Sequence, residues 1–166
     1  MNRQFPIALV DTNVWLDNYL GKRPHAAESR QFIDLAREHG VQLTYAMHTL
    51  HDLFYLVQNE LKHMEQNAGP LLQSAALAAK EAAWACVDNL RETATAIAAD
   101  ESDAWRACKY RALTGDLEDN FVLAAAERVP VDFIVTNDHE LIRKATVNAY
   151  TSADAILMLQ ATCPEA

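Results

Sequence analysis

The sequence predicts an α/β domain with a largely parallel sheet and helices on both faces. Three observations carry this expectation. Short apolar runs such as FPIALV, VQLTYA and VDFIVT alternate with longer stretches whose apolar residues recur at helical spacing. Gly and Pro fall between the two kinds of segment rather than inside them. The chain has 166 residues, enough for one domain with a sizeable core, so a single domain over 1–166 is expected.

Each element follows from its own residues. FPIALV (5–10) reads as a buried strand that ends at Asp11. TNVWLDNYL comes next as a helix, with Val14, Leu16 and Leu20 able to share a core face, and Gly21 and Pro24 break it. Residues 25–39 put Phe32, Leu35 and Ala36 at helical spacing and stop at Gly40. VQLTYA (41–46) alternates and makes a second strand. HTLHDLFYLVQNELKHM (48–64) is a long helix with Leu50, Phe54, Val57 and Leu61 on one stripe. Gly69-Pro70 is the clearest break, and Ala-rich 71–90 forms another helix. TATAIAAD (93–100) reads as a strand, and 101–113 as a helix with Trp105, Cys108 and Ala112 in phase. GDLEDNFVLAAAERV opens a further helix, and the β-branched VDFIVT (131–136) is a strand ending at Asn137-Asp138. HELIRKA, TVNAY (146–150) and SADAILMLQ complete the pattern as helix, strand and helix, with Ser152 as cap of the last. Trp15, Phe32, Phe54 and Trp105 are expected in the core.

Composition narrows the function. Apolar residues make up 51% and charged residues 22%, an ordinary globular balance. No apolar run approaches the roughly 20 residues of a membrane span, and the first apolar stretch is too short for a signal peptide. Cys86, Cys108 and Cys163 form no CxxC pair and read as reduced thiols of a cytoplasmic protein. The formal net charge of −9 argues against broad electrostatic binding to nucleic acid. It leaves open an enzyme whose acidic pocket is neutralised by metal ions.

In parallel sheets the site lies beyond the carboxyl ends of the strands. Asp11 closes the first strand and Asp138 follows the strand VDFIVT, so both are expected at one edge. GDLEDN packs Asp116, Glu118 and Asp119 into the start of a helix. Asp52 lies one turn into the helix after the second strand, with His48 four residues before it on the same face. Each residue also has a plainer reading. Asp11 can be a turn residue, Asp116 a helix cap, and Asp119 a favourable charge at the helix's positive end. Glu118 lies to one side of its neighbours and is expected to face solvent. Asp52 and His48 are expected to form a surface pair in preference to a nitrogen–oxygen metal site. The acids at 17, 34, 88, 100, 103 and 154 read as solvated faces and caps. A site is preferred because the plainer reading must explain Asp11, Asp119 and Asp138 separately.

IALVDTNVWLD, GDLEDNFVLAAAE and DFIVTNDHELI, taken in this order and spacing, resemble the PIN-domain nucleases, and in particular the VapC-type toxins of bacterial toxin–antitoxin pairs. The likeness extends over nearly the whole chain. It implies a three-layer αβα sandwich, an endoribonuclease cleaving RNA, and a pocket of four acids holding one or two magnesium or manganese ions. It also implies an antitoxin protein as partner and a homodimer. Carried over by motif, the metal ligands are Asp11, Asp119 and Asp138, with Asp116 accessory. Thr12, Asn13, Thr136 and Asn137 hold or orient them. Asp52 stands where the family usually has a glutamate, and is the expected fourth catalytic acid.

The chemistry is consistent with that set. Phosphodiester hydrolysis needs an activated water and stabilised phosphoryl charge, and divalent ions supply both. Clustered carboxylates raise one another's pKa, so a cation that relieves the repulsion binds well. A dehalogenase-type phosphatase would want an acid where Asn13 stands and a partnering lysine. A catalytically weak PIN-like interaction module is the reading from a different class.

Overall fold

The computed structural model describes residues 5–70 and 72–162; Cys163 lies outside them. The described strands are β1 (Ile7–Val10), β2 (Gln42–Ala46), β3 (Thr95–Ile97), β4 (Phe133–Val135) and β5 (Ala149–Tyr150). They form one sheet in the order β3-β2-β1-β4-β5, and every neighbouring pair is parallel. β1 is central, with Leu9 beside Thr44 on one side and Ile134 on the other. The helices are α1 (Thr12–Tyr19), α2 (Ala26–Glu38), α3 (His48–Ala68), α4 (Gln73–Thr93), α5 (Glu101–Lys109), α6 (Leu117–Arg128), α7 (His139–Lys144) and α8 (Ser152–Thr162).

Side chains alternate across a strand, and here both sides are covered. Ala8, Val10, Leu43, Tyr45, Phe133 and Val135 point into a core completed by Val14, Trp15, Phe32, Leu53, Leu90 and Ile156, which come from α1, α2, α3, α4 and α8. Leu9, Ala46, Ile97 and Ile134 point the other way, against Val122, Leu123 and Ala126 of α6 and Leu141 of α7. The result is a three-layer α/β sandwich. Double-sided burial explains why β1 and β4 read as continuous apolar runs. Trp15 and Phe32 are fully buried, each stabilising the fold by on the order of 1.5–3 kcal/mol.

Local chemistry sets the ends. At the end of α2, Gly40 adopts φ +70, where a side chain would be strained. The Gly40 N–H donates to Arg37 O at 3.1 Å and the Val41 N–H to Ala36 O at 2.8 Å, the paired bonds of a Schellman turn. Asp100 and Asp103 form a capping box at the start of α5.

Several expectations require correction. Trp105 is 59% exposed, with Lys109 Nζ 3.5 Å over its ring. Asp103 and Ala107, one turn apart, form the buried face of α5, so Trp105 between them points outward. Asp103 and Asp17 are buried rather than solvated. Asp103 accepts from Arg128 Nε at 2.8 Å, and Asp17 from Arg23 Nε at 2.6 Å. Both acids exchange hydration for a charged partner, as burial requires.

Candidate active site

Because the strands are parallel, β1 and β4 deliver their last residues to the same edge. Asp11 follows β1 directly and caps α1. Its Oδ1 accepts the Thr12 N–H at 2.7 Å. Its Oδ2 accepts Asn13 Nδ2 at 2.6 Å and the Thr136 hydroxyl at 2.7 Å. These three donors favour the carboxylate, yet burial outweighs them. Desolvation pushes Asp11 up to about 7, opposed by Thr136 and Thr12 and reinforced by the nearby Glu118 and Asp119.

Thr136 uses its hydroxyl fully. It donates to Asp11 and accepts from Asn13 Nδ2 at 2.9 Å and from the Asp138 N–H at 3.1 Å. Asn13 Oδ1 accepts the Asn137 N–H at 3.0 Å, so Asn13 clamps both strand ends. Asn137 reaches further: its Nδ2 donates to Asp17 Oδ2 at 2.9 Å and Ser29 Oγ at 3.0 Å, and its Oδ1 accepts the Ser152 N–H at 3.1 Å. It thereby ties β4 to α1, α2 and α8. Asp138 caps α7, its Oδ1 accepting the N–H groups of Glu140 at 2.6 Å and Leu141 at 3.3 Å.

The start of α6 faces the same edge. Asp116 caps it, accepting the N–H groups of Glu118 at 2.8 Å and Asp119 at 3.4 Å. Thr114, buried and unremarked in the sequence, accepts the Asp116 N–H at 2.9 Å and contacts Asp119 Oδ2 at 3.4 Å. Asp119 is pushed up to about 6, by desolvation first and then by Asp116 and Asp138, while Thr114 and Lys144 pull it down. Asp119 therefore feels Asp11, Asp116 and Asp138 at once. Among the described residues, none of these four aspartates forms an ion pair with lysine or arginine.

Asp52 and Glu118 depart from expectation. The surface pair of Asp52 is made with His51, whose Nδ1 lies 3.0 Å from Asp52 Oδ1, and not with His48. Glu118 is half-buried and faces inward. Its pKa is raised by desolvation first and by Asp52 next, with the nearby Thr12 hydroxyl opposing. His48 at the start of α3 meets Phe121 of α6 with tilted rings whose centroids are 5.8 Å apart. Glu118 precedes Phe121 by three residues and shares that face. A ring nitrogen of His48 and one carboxylate oxygen each of Asp52 and Glu118 all lie within 4.8 Å of one another. Asp11, Asp119 and Asp138 do not form so tight a group among the described residues. Burial lowers the His48 pKa, with Asp52 opposing.

The pocket thus offers hard oxygen donors, little positive charge and carboxyls held above their ordinary range. That donor chemistry fits a hard divalent cation, which would relieve the repulsion. Asp11, Asp119 and Asp138 are the candidates to hold it, with Asp116 close enough to raise the Asp119 pKa.

The PIN domain family model matches residues 8–140. The chain belongs to the PIN domain family. No curated protein sequence matches it significantly. Solved structures resemble this PIN domain in fold and only weakly in sequence. A chain of VapBC2 from Rickettsia felis, solved bound to a DNA fragment from its promoter, is 14% identical with a TM-score of 0.60, over 87% of this chain and 98% of that one. VapC20 from Mycobacterium tuberculosis, described as a Sarcin-Ricin loop cleaving toxin, is 11% identical with a TM-score of 0.62, over 82% and 93%. PAE2754 from Pyrobaculum aerophilum is 18% identical with a TM-score of 0.59, over 94% and 96%. At these identities the likeness establishes the shared fold.

Proposed function

We propose that this PIN domain is a magnesium- or manganese-dependent endoribonuclease, acting in the cytoplasm as the toxin of a toxin–antitoxin pair. The observation that carries the reading is Asp119, set against Asp11, Asp116 and Asp138 at the carboxyl edge of a parallel sheet, with no basic side chain among the described residues in an ion pair with any of them. A bound divalent cation would activate water and stabilise phosphoryl charge. The chain's own residues hold and orient. Asn13 and Thr136 fix the Asp11 carboxylate, Thr136 and Asn13 also fix the strand ends that present Asp138, and Thr114 and Asp116 set the first turn that carries Asp119. Asp52 approaches from α3 as the fourth acid, one methylene shorter than glutamate. A homodimer and an antitoxin partner are part of the proposal. VapBC2 and VapC20, both similar in fold, support it.

Purified protein is expected to cut at least one structured RNA with magnesium or manganese and to stop with chelator. Asp11→Asn should remain folded and lose most cleavage. Cleavage surviving both the chelator and the substitution overturns the reading. Binding of RNA or partner without any cleavage favours the interaction module.

A further inference from the structure

We propose that His48, Asp52 and Glu118 form a second cation site of mixed nitrogen and oxygen donors, suited to a transition ion, zinc above manganese, rather than to magnesium. It shares Asp52 with the catalytic pocket proposed above and rests on that reading only there. His48 and Glu118 belong to neither the ligand set expected from sequence nor the Asp11–Asp119–Asp138 group.

The geometry begins with α3. His48 and Asp52 stand one turn apart and project from the same side of the helix. Glu118 comes from the first turn of α6, held toward α3 by the Phe121–His48 contact. The three candidate donor atoms lie within 4.8 Å of one another. Donors around a tetrahedral zinc stand about 3.4 Å apart, so small rotamer changes close the set. The Asp52 carboxylate is already oriented, with His51 Nδ1 3.0 Å from its Oδ1. Such outer contacts direct ligands in protein metal sites.

The imidazole supplies a second, independent observation. His48 Nε2 is buried without a hydrogen-bond partner, one of two such side-chain atoms among the described residues. A buried ring nitrogen left unpaired costs free energy that a ligand or bound ion recovers. Nitrogen donors also decide which ion is held. Magnesium prefers oxygen, whereas imidazole raises the affinity for manganese and more strongly for zinc.

The test needs neither RNA nor activity. The full chain is loaded with Mn2+, and pulsed electron paramagnetic resonance is used to look for modulation from a coordinated imidazole nitrogen. The modulation is expected in the unaltered protein and in Asp138→Asn, and should vanish in His48→Gln. Zn2+ affinity by calorimetry should fall at least ~10-fold in His48→Gln and in Glu118→Gln. Glu118→Gln keeps the side-chain volume and guards against a fold defect in the histidine variant. Manganese bound with no nitrogen signal, or a signal unchanged in His48→Gln, overturns the proposal. Either result leaves the oxygen pocket and its RNA cleavage standing, so the two readings fail separately.

Discussion

Thr136 is the residue on which most of the pocket's geometry converges. Thr136→Val keeps the shape but removes the donor to Asp11 and leaves the buried side of the Asp138 N–H without its acceptor. Urea denaturation should show a loss of about 1–3 kcal/mol, with cleavage reduced in the folded variant. Asp11 makes a second prediction. Its folded-state pKa stands above the ordinary 3.8, near 7, so the folded state binds the proton more tightly than the unfolded chain. The stabilisation is full below about 3.8 and lost as pH rises through about 7. Asp119, raised to about 6, acts in the same direction. Asp11 alone costs the cation-free protein on the order of a few kcal/mol at pH 8, and the more exposed, solvent-screened Asp119 adds less. Millimolar manganese should therefore raise the melting temperature more at pH 8 than at pH 5; equal shifts at both would contradict this. Asp11, Asp138 and Asn137 could be picked out because each sits at the end of an apolar run. Glu118 could not, since its direction depends on Phe121 meeting His48 from another helix. Burial of Asp17 and Asp103 is hidden in the sequence for a similar reason: their partners Arg23 and Arg128 lie 6 and 25 residues away.

At the level of elements, α6 is the part on which structure and chemistry overlap. Asp116 caps it and also lies against Asp119. The two roles separate by substitution. Asp116→Ala should cost about 0.5–2 kcal/mol through the lost cap. Asp116→Asn keeps a capping oxygen and should preserve stability while raising the cation concentration needed for half-maximal cleavage. If the asparagine variant matches the unaltered protein in both, Asp116 is a cap alone. The elements themselves were legible because period and punctuation agreed: Gly40, Gly69-Pro70 and the β-branched FIV run fall where α2, α3 and β4 end or begin. The phase of α5 was not legible. Its buried face holds Asp103 and Ala107, so hydrophobicity alone pointed Trp105 inward when it points out.

Across the whole molecule, the sheet order and the net charge of −9 bear on how a polyanion is received. In the proposed function, an acidic pocket without cations would repel RNA and would pair with a basic side chain from a partner protein. Expression should therefore arrest growth, the adjacent gene product should relieve it, and Asp11→Asn should be harmless. Arrest that persists with Asp11→Asn would separate toxicity from the pocket. In the proposed reaction the carboxylate edge of this sheet hydrolyses RNA with a cation-activated water. Single-turnover cleavage in 18O-labelled water with magnesium tests it most directly. One labelled oxygen is expected on the newly formed terminal phosphate, with no 2′,3′-cyclic phosphate at any time and no product from Asp11→Asn. A 2′,3′-cyclic phosphate formed without divalent cation would contradict this reaction, because the attacking oxygen would then be the RNA's own 2′-hydroxyl.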